Sequence, residues 1–136
     1  MRLLNAHEVE YLLVGGYAVA YHGYPRATAD MDIWVGVSEV NAERIVATVR
    51  EFGFTMAEVS PVLFRKEHQV VRMGVPPVRI EILTTLSGVT FPECFRARVV
   101  DDMDGVPANL ISSPHLKINK RAAGRFKDLD DLENLR

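Results

Sequence analysis

The sequence predicts an α+β domain: a mixed β-sheet flanked by helices, with a pair of helices at the C-terminus. Three observations carry this expectation. Segments of strand character are interspersed with segments of helical period. One pair of strands is separated by a short Gly/Pro-containing stretch that favours an antiparallel hairpin over a doubly wound parallel arrangement. The composition is that of an ordinary globular chain, with 48% apolar and 25% charged residues over 136 positions. That length suits one domain, residues 1–136, and leaves little room for a separate substrate-binding domain.

Several classes are excluded at the same stage. The apolar content is too high for a disordered chain. Cys94 is the one cysteine, so there is no disulfide framework. No uncharged apolar stretch reaches the ~18 residues of a membrane span. The net charge of −2, from 16 Lys+Arg and 18 Asp+Glu, lacks the basic surplus of a duplex-DNA binder. Glu8 and Glu10 interrupt the first apolar run, which argues against a signal peptide; with the free cysteine this points to a cytoplasmic protein.

Taken in order, Arg2 to His7 reads as a short helix. Tyr11–Val14 is a continuous apolar run ending at a glycine pair, as in a buried strand. Gly16 to Tyr21 follows as a short helix carrying small residues. From Arg26 to Val35 polar and apolar residues alternate, the pattern of a strand with Arg26, Thr28, Asp30, Asp32 and Trp34 on one face. Asn41 to Phe52 is an amphipathic helix, capped by Ser38 and stopped by Gly53. Phe54 to Gln69 has no clear period. Val70–Met73 and Val78–Leu83 read as a hairpin across a four-residue loop, Gly74–Pro77.

Phe91 to Arg96 reads as a helical turn, and Asp104-Gly105 marks a tight turn between two further strands. Ser113-Pro114 starts a helix, with Ser113 at its N-cap, that stops near Gly124. The last helix presents Leu129, Leu132 and Leu135 on one face, with Asp128 and Asp131 as capping residues.

The chemically informative feature is Gly15-Gly16 followed, after thirteen intervening residues, by Asp30-Met31-Asp32. Carboxylates at i and i+2 of a strand project from one face with Cα atoms ~6.6 Å apart. Strands are depleted in Asp, and facing carboxylates repel unless a positive charge lies between them. A divalent metal with oxygen ligands answers both points, and Mg²⁺ takes such sites. Glu81, mid-strand between Ile80 and Ile82, joins the pair if its strand lies alongside. Three converging carboxylates suit two metals ~3.5–4 Å apart. Taken alone, Glu81 reads as a solvent-facing residue paired with Arg79 or another cation. The glycine pair lets a phosphate approach backbone N–H groups, or simply makes the turn and permits close packing.

Val14-Gly15-Gly16, the thirteen-residue gap and Asp30-Met31-Asp32-Ile33 together resemble the signature of the DNA polymerase β-like nucleotidyltransferase superfamily. The resemblance continues through Arg26–Asp30 and resumes over Leu116–Asp128, where the chain is similar to small prokaryotic nucleotidyltransferases related to toxin–antitoxin and abortive-infection proteins. It implies a nucleotidyltransferase fold. It also implies Mg²⁺-dependent transfer of a nucleoside monophosphate from an NTP to a protein or RNA acceptor, with release of pyrophosphate.

Asp30, Asp32 and Glu81 take the metal-binding and catalytic positions, with two Mg²⁺ ions, for which Mn²⁺ is a substitute. Gly15, Gly16, Arg26, Thr28, Lys120 and Lys127 take the nucleotide-binding positions. Glu81 stands where Asp is common in the family. The chain also begins almost at the first strand, so an N-terminal helix of longer relatives is expected to be shortened. A second reading keeps the carboxylates without turnover: an antitoxin-like module that binds a toxin-like partner. Homodimerisation is a further expectation, since smallness leaves acceptor specificity to a partner or a second copy. A phosphohydrolase using Asp30 as nucleophile is disfavoured by the hairpin.

The basic cluster Lys117, Lys120, Arg121, Arg125 and Lys127 reads either as a solvated surface or as phosphate-neutralising groups. The histidines, His7, His22, His68 and His115, form no metal-ligand spacing; His22 reads as structural and His115 as exposed. Trp34 is expected to pack against the sheet and Cys94 to be a small buried hydrophobe.

Overall fold

The computed structural model describes residues 1–24, 30–54, 59–75 and 78–135. In chain order the elements are α1 (Arg2–Ala6), β1 (Tyr11–Val14), α2 (Gly15–Tyr21), β2 (Asp30–Val35), α3 (Glu39–Phe52), α4 (Pro61–Phe64), β3 (Val70–Val75), β4 (Val78–Leu83), α5 (Phe91–Arg96), β5 (Val99–Met103), β6 (Val106–Leu110), α6 (Ser113–Ala123) and α7 (Phe126–Asn134). The six described strands form one mixed sheet in the order β3-β4-β2-β1-β6-β5. β1 runs antiparallel to β2 and parallel to β6, β2 runs parallel to β4, and the outer pairs β3/β4 and β5/β6 are antiparallel. The expected α+β class with a mixed sheet is what the chain adopts. No helix among the described residues is long and apolar enough to cross a membrane.

β1 is buried on both faces, which is why its sequence is a continuous apolar run rather than an alternation. Tyr11 and Leu13 face a core with Ile33, Val35, Ile82, Leu110, Phe64 and the α3 residues Ala42, Ile45, Val46 and Val49. Leu12 and Val14 face a second core with Ala18, Val19, Trp34, Cys94, Ile111, Leu116 and Leu135. Each fully buried Leu, Ile or Val adds roughly 1.5–3 kcal/mol of transfer free energy, so these two layers hold the sheet between its helices. β2 also has both faces covered at its C-terminal end. There Trp34 packs edge-to-face on Phe91, with ring centroids 5.2 Å apart. Its N-terminal end stays half-open, and the aspartates lie there.

The helix boundaries follow local chemistry. Ser38 accepts a hydrogen bond from the Asn41 backbone at 3.1 Å, and Gly53 closes α3 at φ +118°. Asn41 itself is buried. Its amide donates to the carbonyls of Glu10 (3.1 Å) and Gly36 (2.8 Å) and its oxygen accepts from the Glu10 N–H (2.8 Å), fastening the start of β1 to the end of β2. Asp104 and Gly105, both at positive φ, make the tight turn between β5 and β6.

Five expectations need correction. The hairpin connection is two residues rather than four, because Gly74 and Val75 continue the ladder opposite Arg79 and Val78. The aperiodic segment contains a short helix, α4, that buries Phe64. The N-cap of α6 is Ser112, which accepts from the His115 backbone, so Pro114 falls one position deeper in the first turn. His115 is half-buried between Ser112 and Glu93 rather than exposed. The leucines of the last helix divide: Leu135 at its C-terminal end is buried in the second core and Leu132 is half-buried, but Leu129 is exposed, and Asp128 and Asp131 are the residues buried within α7.

Candidate functional site

Strand register builds the site. Asp32 in β2 pairs with Val14 in β1 on one side and with Glu81 in β4 on the other, and Glu81 in turn pairs with Arg72 in β3. Val14, Asp32, Glu81 and Arg72 therefore form one row across four strands. Asp30 sits one pleat away on the same face, opposite Arg79. The row ends at the glycine pair, where β1 becomes α2. Gly15 is at φ +63°, and a Cβ there would overlap Asp32 Oδ2 and come within 3.0 Å of its Cγ. Only glycine lets the chain turn this closely over the aspartate.

An open cleft of about 790 Å³ lies over this row. Its walls include Gly15, Gly16, Asp30, Asp32, Glu81 and Arg72 from the sheet side, Thr85 and Ser87 from the loop after β4, and Asn119, Lys120, Arg125, Lys127 and Asp128 from the junction of α6 and α7. The topology thus brings together seven of the nine residues singled out from sequence; the other two, Arg26 and Thr28, lie outside the described residues.

The electrostatics of the row are uneven. Burial pushes the Asp32 carboxyl up to about 6, and the neighbouring charge of Glu81 and a hydrogen bond shared with it push the same way; Lys127 acts against this and Asp30 adds to it. Asp32 Oδ1 is buried and has no hydrogen-bond partner among the described residues. Asp30 and Glu81 are compensated by cations: Arg79 Nη2 donates to Asp30 Oδ2 at 3.0 Å, and Arg72 Nε donates to Glu81 Oε1 at 2.9 Å.

The two lysines behave differently. Lys127 is exposed, and its charge works to lower the Asp32 pKa. Lys120 is 3% exposed, and its Nζ lies 3.2 Å from Asp128 Oδ1 and 3.1 Å from Asp131 Oδ2. It reaches the cleft wall, but its ammonium is committed to tying α6 to α7. Asp128 also receives Arg125 Nε at 2.6 Å and Nη2 at 3.2 Å and caps α7 through the Arg125 N–H at 3.3 Å. Burial raises the Asp128 pKa, but the hydrogen bonds and charges of Arg125 and Lys120 outweigh it and hold the group below its ordinary range. Lys117, Lys120 and Arg121 therefore do not form one solvated basic face.

Sequence reasoning did not select Arg72 or Asn119 as site residues, and it left Arg125, within the basic cluster, open between a solvated surface and phosphate neutralisation. The signal for Arg72 was present in the hairpin register, which sets it beside Glu81 once the connection is two residues long. Asn119 in α6 and Arg125 at the N-cap of α7 reach the cleft through the packing of these helices, which no local pattern encodes.

Asp30, Asp32 and Glu81 offer hard oxygen donors, the ligand type Mg²⁺ prefers, and the orphaned Asp32 Oδ1 is an atom a cation would satisfy. The donor chemistry fits a divalent ion. As they stand, no three His, Cys, Asp or Glu among the described residues are drawn together as a finished metal cage.

No family model matches the sequence, and no curated protein matches it. Solved structures do. A candidate nucleotidyltransferase from Thermotoga maritima, TM1012, superposes with a TM-score of 0.64 at 17% identity, over 97% of this chain and 84% of that one. An antigenic nucleotidyltransferase-like protein from Paracoccidioides brasiliensis gives a TM-score of 0.58 at 15% identity, over 98% of this chain and 70% of that one. With the sheet order, the glycine turn and the acid row in place, the chain has the nucleotidyltransferase fold.

Proposed function

We propose that the protein is a Mg²⁺-dependent nucleotidyltransferase that moves a nucleoside monophosphate from an NTP to a hydroxyl of a protein or RNA acceptor. The observation that carries this reading is Asp32: a half-buried carboxylate with an orphaned oxygen, beside Glu81 and beneath a glycine that tolerates no side chain. Asp30, Asp32 and Glu81 would hold the metal, which when bound supplies Lewis-acid stabilisation of charge on the phosphates.

The chain's own groups do the rest. The backbone at Gly15 and Gly16 lets the triphosphate lie close to the sheet end. Lys127 and Arg125, at the cleft wall, neutralise phosphate charge. Glu81, in the cleft beside Asp32, takes the proton from the acceptor hydroxyl. The acceptor oxygen then bonds to the α-phosphorus as the bond from that phosphorus to the bridging oxygen breaks, and pyrophosphate leaves.

The test is incubation of the protein with each α-labelled NTP, Mg²⁺ and cell extract. A labelled RNA or protein band is expected, lost in Asp30→Asn. Transfer by Asp30→Asn at the wild-type rate would overturn the assignment.

A second reading, a partner-binding module, is favoured by one observation: α6 and α7 turn Ile118, Leu129 and the 94%-exposed Phe126 outward. A partner or second copy whose binding survives Asp30→Asn and fails in Phe126→Ser would support it. Binding that is indifferent to Phe126 would not.

A further inference from the structure

Two of the three acids in the row are each gripped by an arginine that strand register places beside them. Arg79 is the register partner of Asp30, and Arg72 is the register partner of Glu81. The hydrogen bonds are 3.0 and 2.9 Å. Among the described residues no arginine bonds to Asp32, which lies between these pairs and keeps an oxygen unsatisfied. Three carboxylates on one sheet face repel, so cations drawn to two of them lower the cost of assembling the trio. The same contacts occupy one oxygen of each carboxylate, Asp30 Oδ2 and Glu81 Oε1, and set a positive charge where a divalent ion would bind.

We infer that Arg72 and Arg79 are internal counter-ions of the acid row, and that a divalent cation binding the nucleotide-free protein must displace their guanidinium groups from Glu81 and Asp30. The inference rests on reading the acids as metal-binding. It accounts for an acid trio that is adjacent in register and yet not gathered into a cage. The exchange is physically easy. The side chains of Arg72 and Arg79 are 65% and 39% exposed, against 17% and 21% for Glu81 and Asp30, so solvent is at hand for the released guanidinium groups while the acids stay in place. A buried pair such as Lys120 with Asp131 would lock the site instead. The arginines thereby hold the metal affinity of the free protein low while keeping the acids aligned. They are positioning residues, acting on the metal through the carboxylates.

The test uses Mn²⁺ as the probe, titrated calorimetrically into the full chain without nucleotide. Arg72→Met and Arg79→Met are each expected to bind Mn²⁺ about tenfold tighter than wild type, the scale of removing one competing charge. Arg79→Lys, which keeps the charge, is expected to stay within about twofold of wild type. Unchanged or weaker Mn²⁺ binding in the methionine variants would overturn the inference, because arginines that merely hold the acids in place would cost affinity when removed. Asp32→Asn separates that failure from failure of the metal reading. If it binds Mn²⁺ as wild type does, or if none of these proteins binds Mn²⁺, the acids are not a metal site at all.

Discussion

Asp32 and Glu81 are register partners on the adjacent parallel strands β2 and β4, and their carboxyl groups lie side by side on one face of the sheet, where the charge of Glu81 helps to raise the Asp32 pKa. Two acids in this relationship cannot both ionise cheaply in a half-buried setting. The fold therefore maintains the pair at a cost to its own stability, which is the usual sign of a group kept for its chemistry rather than its packing.

That cost is measurable through Asp32→Asn. The Asp32 pKa is about 6 in the folded chain against 3.8 for the unperturbed group, so between those values the folded state binds more protons than the unfolded state. Stability then falls as pH rises through this window, and the penalty is complete above the folded pKa. An asparagine bears no charge and escapes it. The metal-free variant is expected to melt close to wild type near pH 4 and a few degrees above it at pH 7.5, ~1 kcal/mol being worth roughly 4 °C in a domain of this size. Added Mg²⁺ is expected to raise the wild-type Tm at pH 7.5 and leave the variant unmoved. Thermal melts at the two pH values decide the point; a variant less stable than wild type at pH 7.5 would contradict it.

Gly15→Ala strikes the same aspartate from the other side. The new methyl group would overlap Asp32 Oδ2, and the backbone at φ +63° is already unfavourable for an L-residue by ~1–2 kcal/mol. Relief requires Asp32 to swing away or the β1–α2 turn to open. The expected outcome is a stability loss of about 1–2 kcal/mol by denaturant unfolding and a fall in label transfer of at least about tenfold, the scale set by a misplaced reacting group. Gly53→Ala is the control. It also has positive φ, but nothing lies within 4 Å of the added Cβ, so it should lose stability and keep transfer.

Much of this was legible in the sequence because it is local. The β1 run, the α3 period with its Ser38 and Gly53 ends, the Asp104-Gly105 turn and the spacing from Gly15-Gly16 to Asp30 and Asp32 are set by neighbours within a few positions. Glu81 could be attached to the pair only conditionally, since strand adjacency is a long-range property; the parallel β2/β4 register supplies it. Leu129 was expected on a packed face by residue type, and the basic cluster holding Lys120 was left open between a solvated surface and phosphate-neutralising groups. At the α6–α7 junction Leu129 is exposed, and Lys120 is buried between Asp128 and Asp131. Pairwise compensation across two helices leaves no periodic trace in a single chain.

The same junction gives the last prediction, that the two cleft lysines separate cleanly into a folding residue and a binding residue. Lys120→Met removes the cation between two aspartates that are each 1% exposed. Breaking a buried ion pair by deleting one partner costs about 3–5 kcal/mol, a large share of the ~5–15 kcal/mol that keeps a domain folded. With it goes the anchoring of Asp128, and through Asp128 the placement of Arg125. Lys127→Met removes an exposed cation and should leave unfolding within about 0.5 kcal/mol of wild type. It should nevertheless weaken NTP binding, because the charge that acts on Asp32 also faces the cleft. Urea unfolding and NTP titration of the two variants side by side make the comparison. Equal stability losses in both would place Lys120 on the solvated surface, one of the two readings its sequence context left open, and unchanged NTP affinity in Lys127→Met would remove that residue from the binding site.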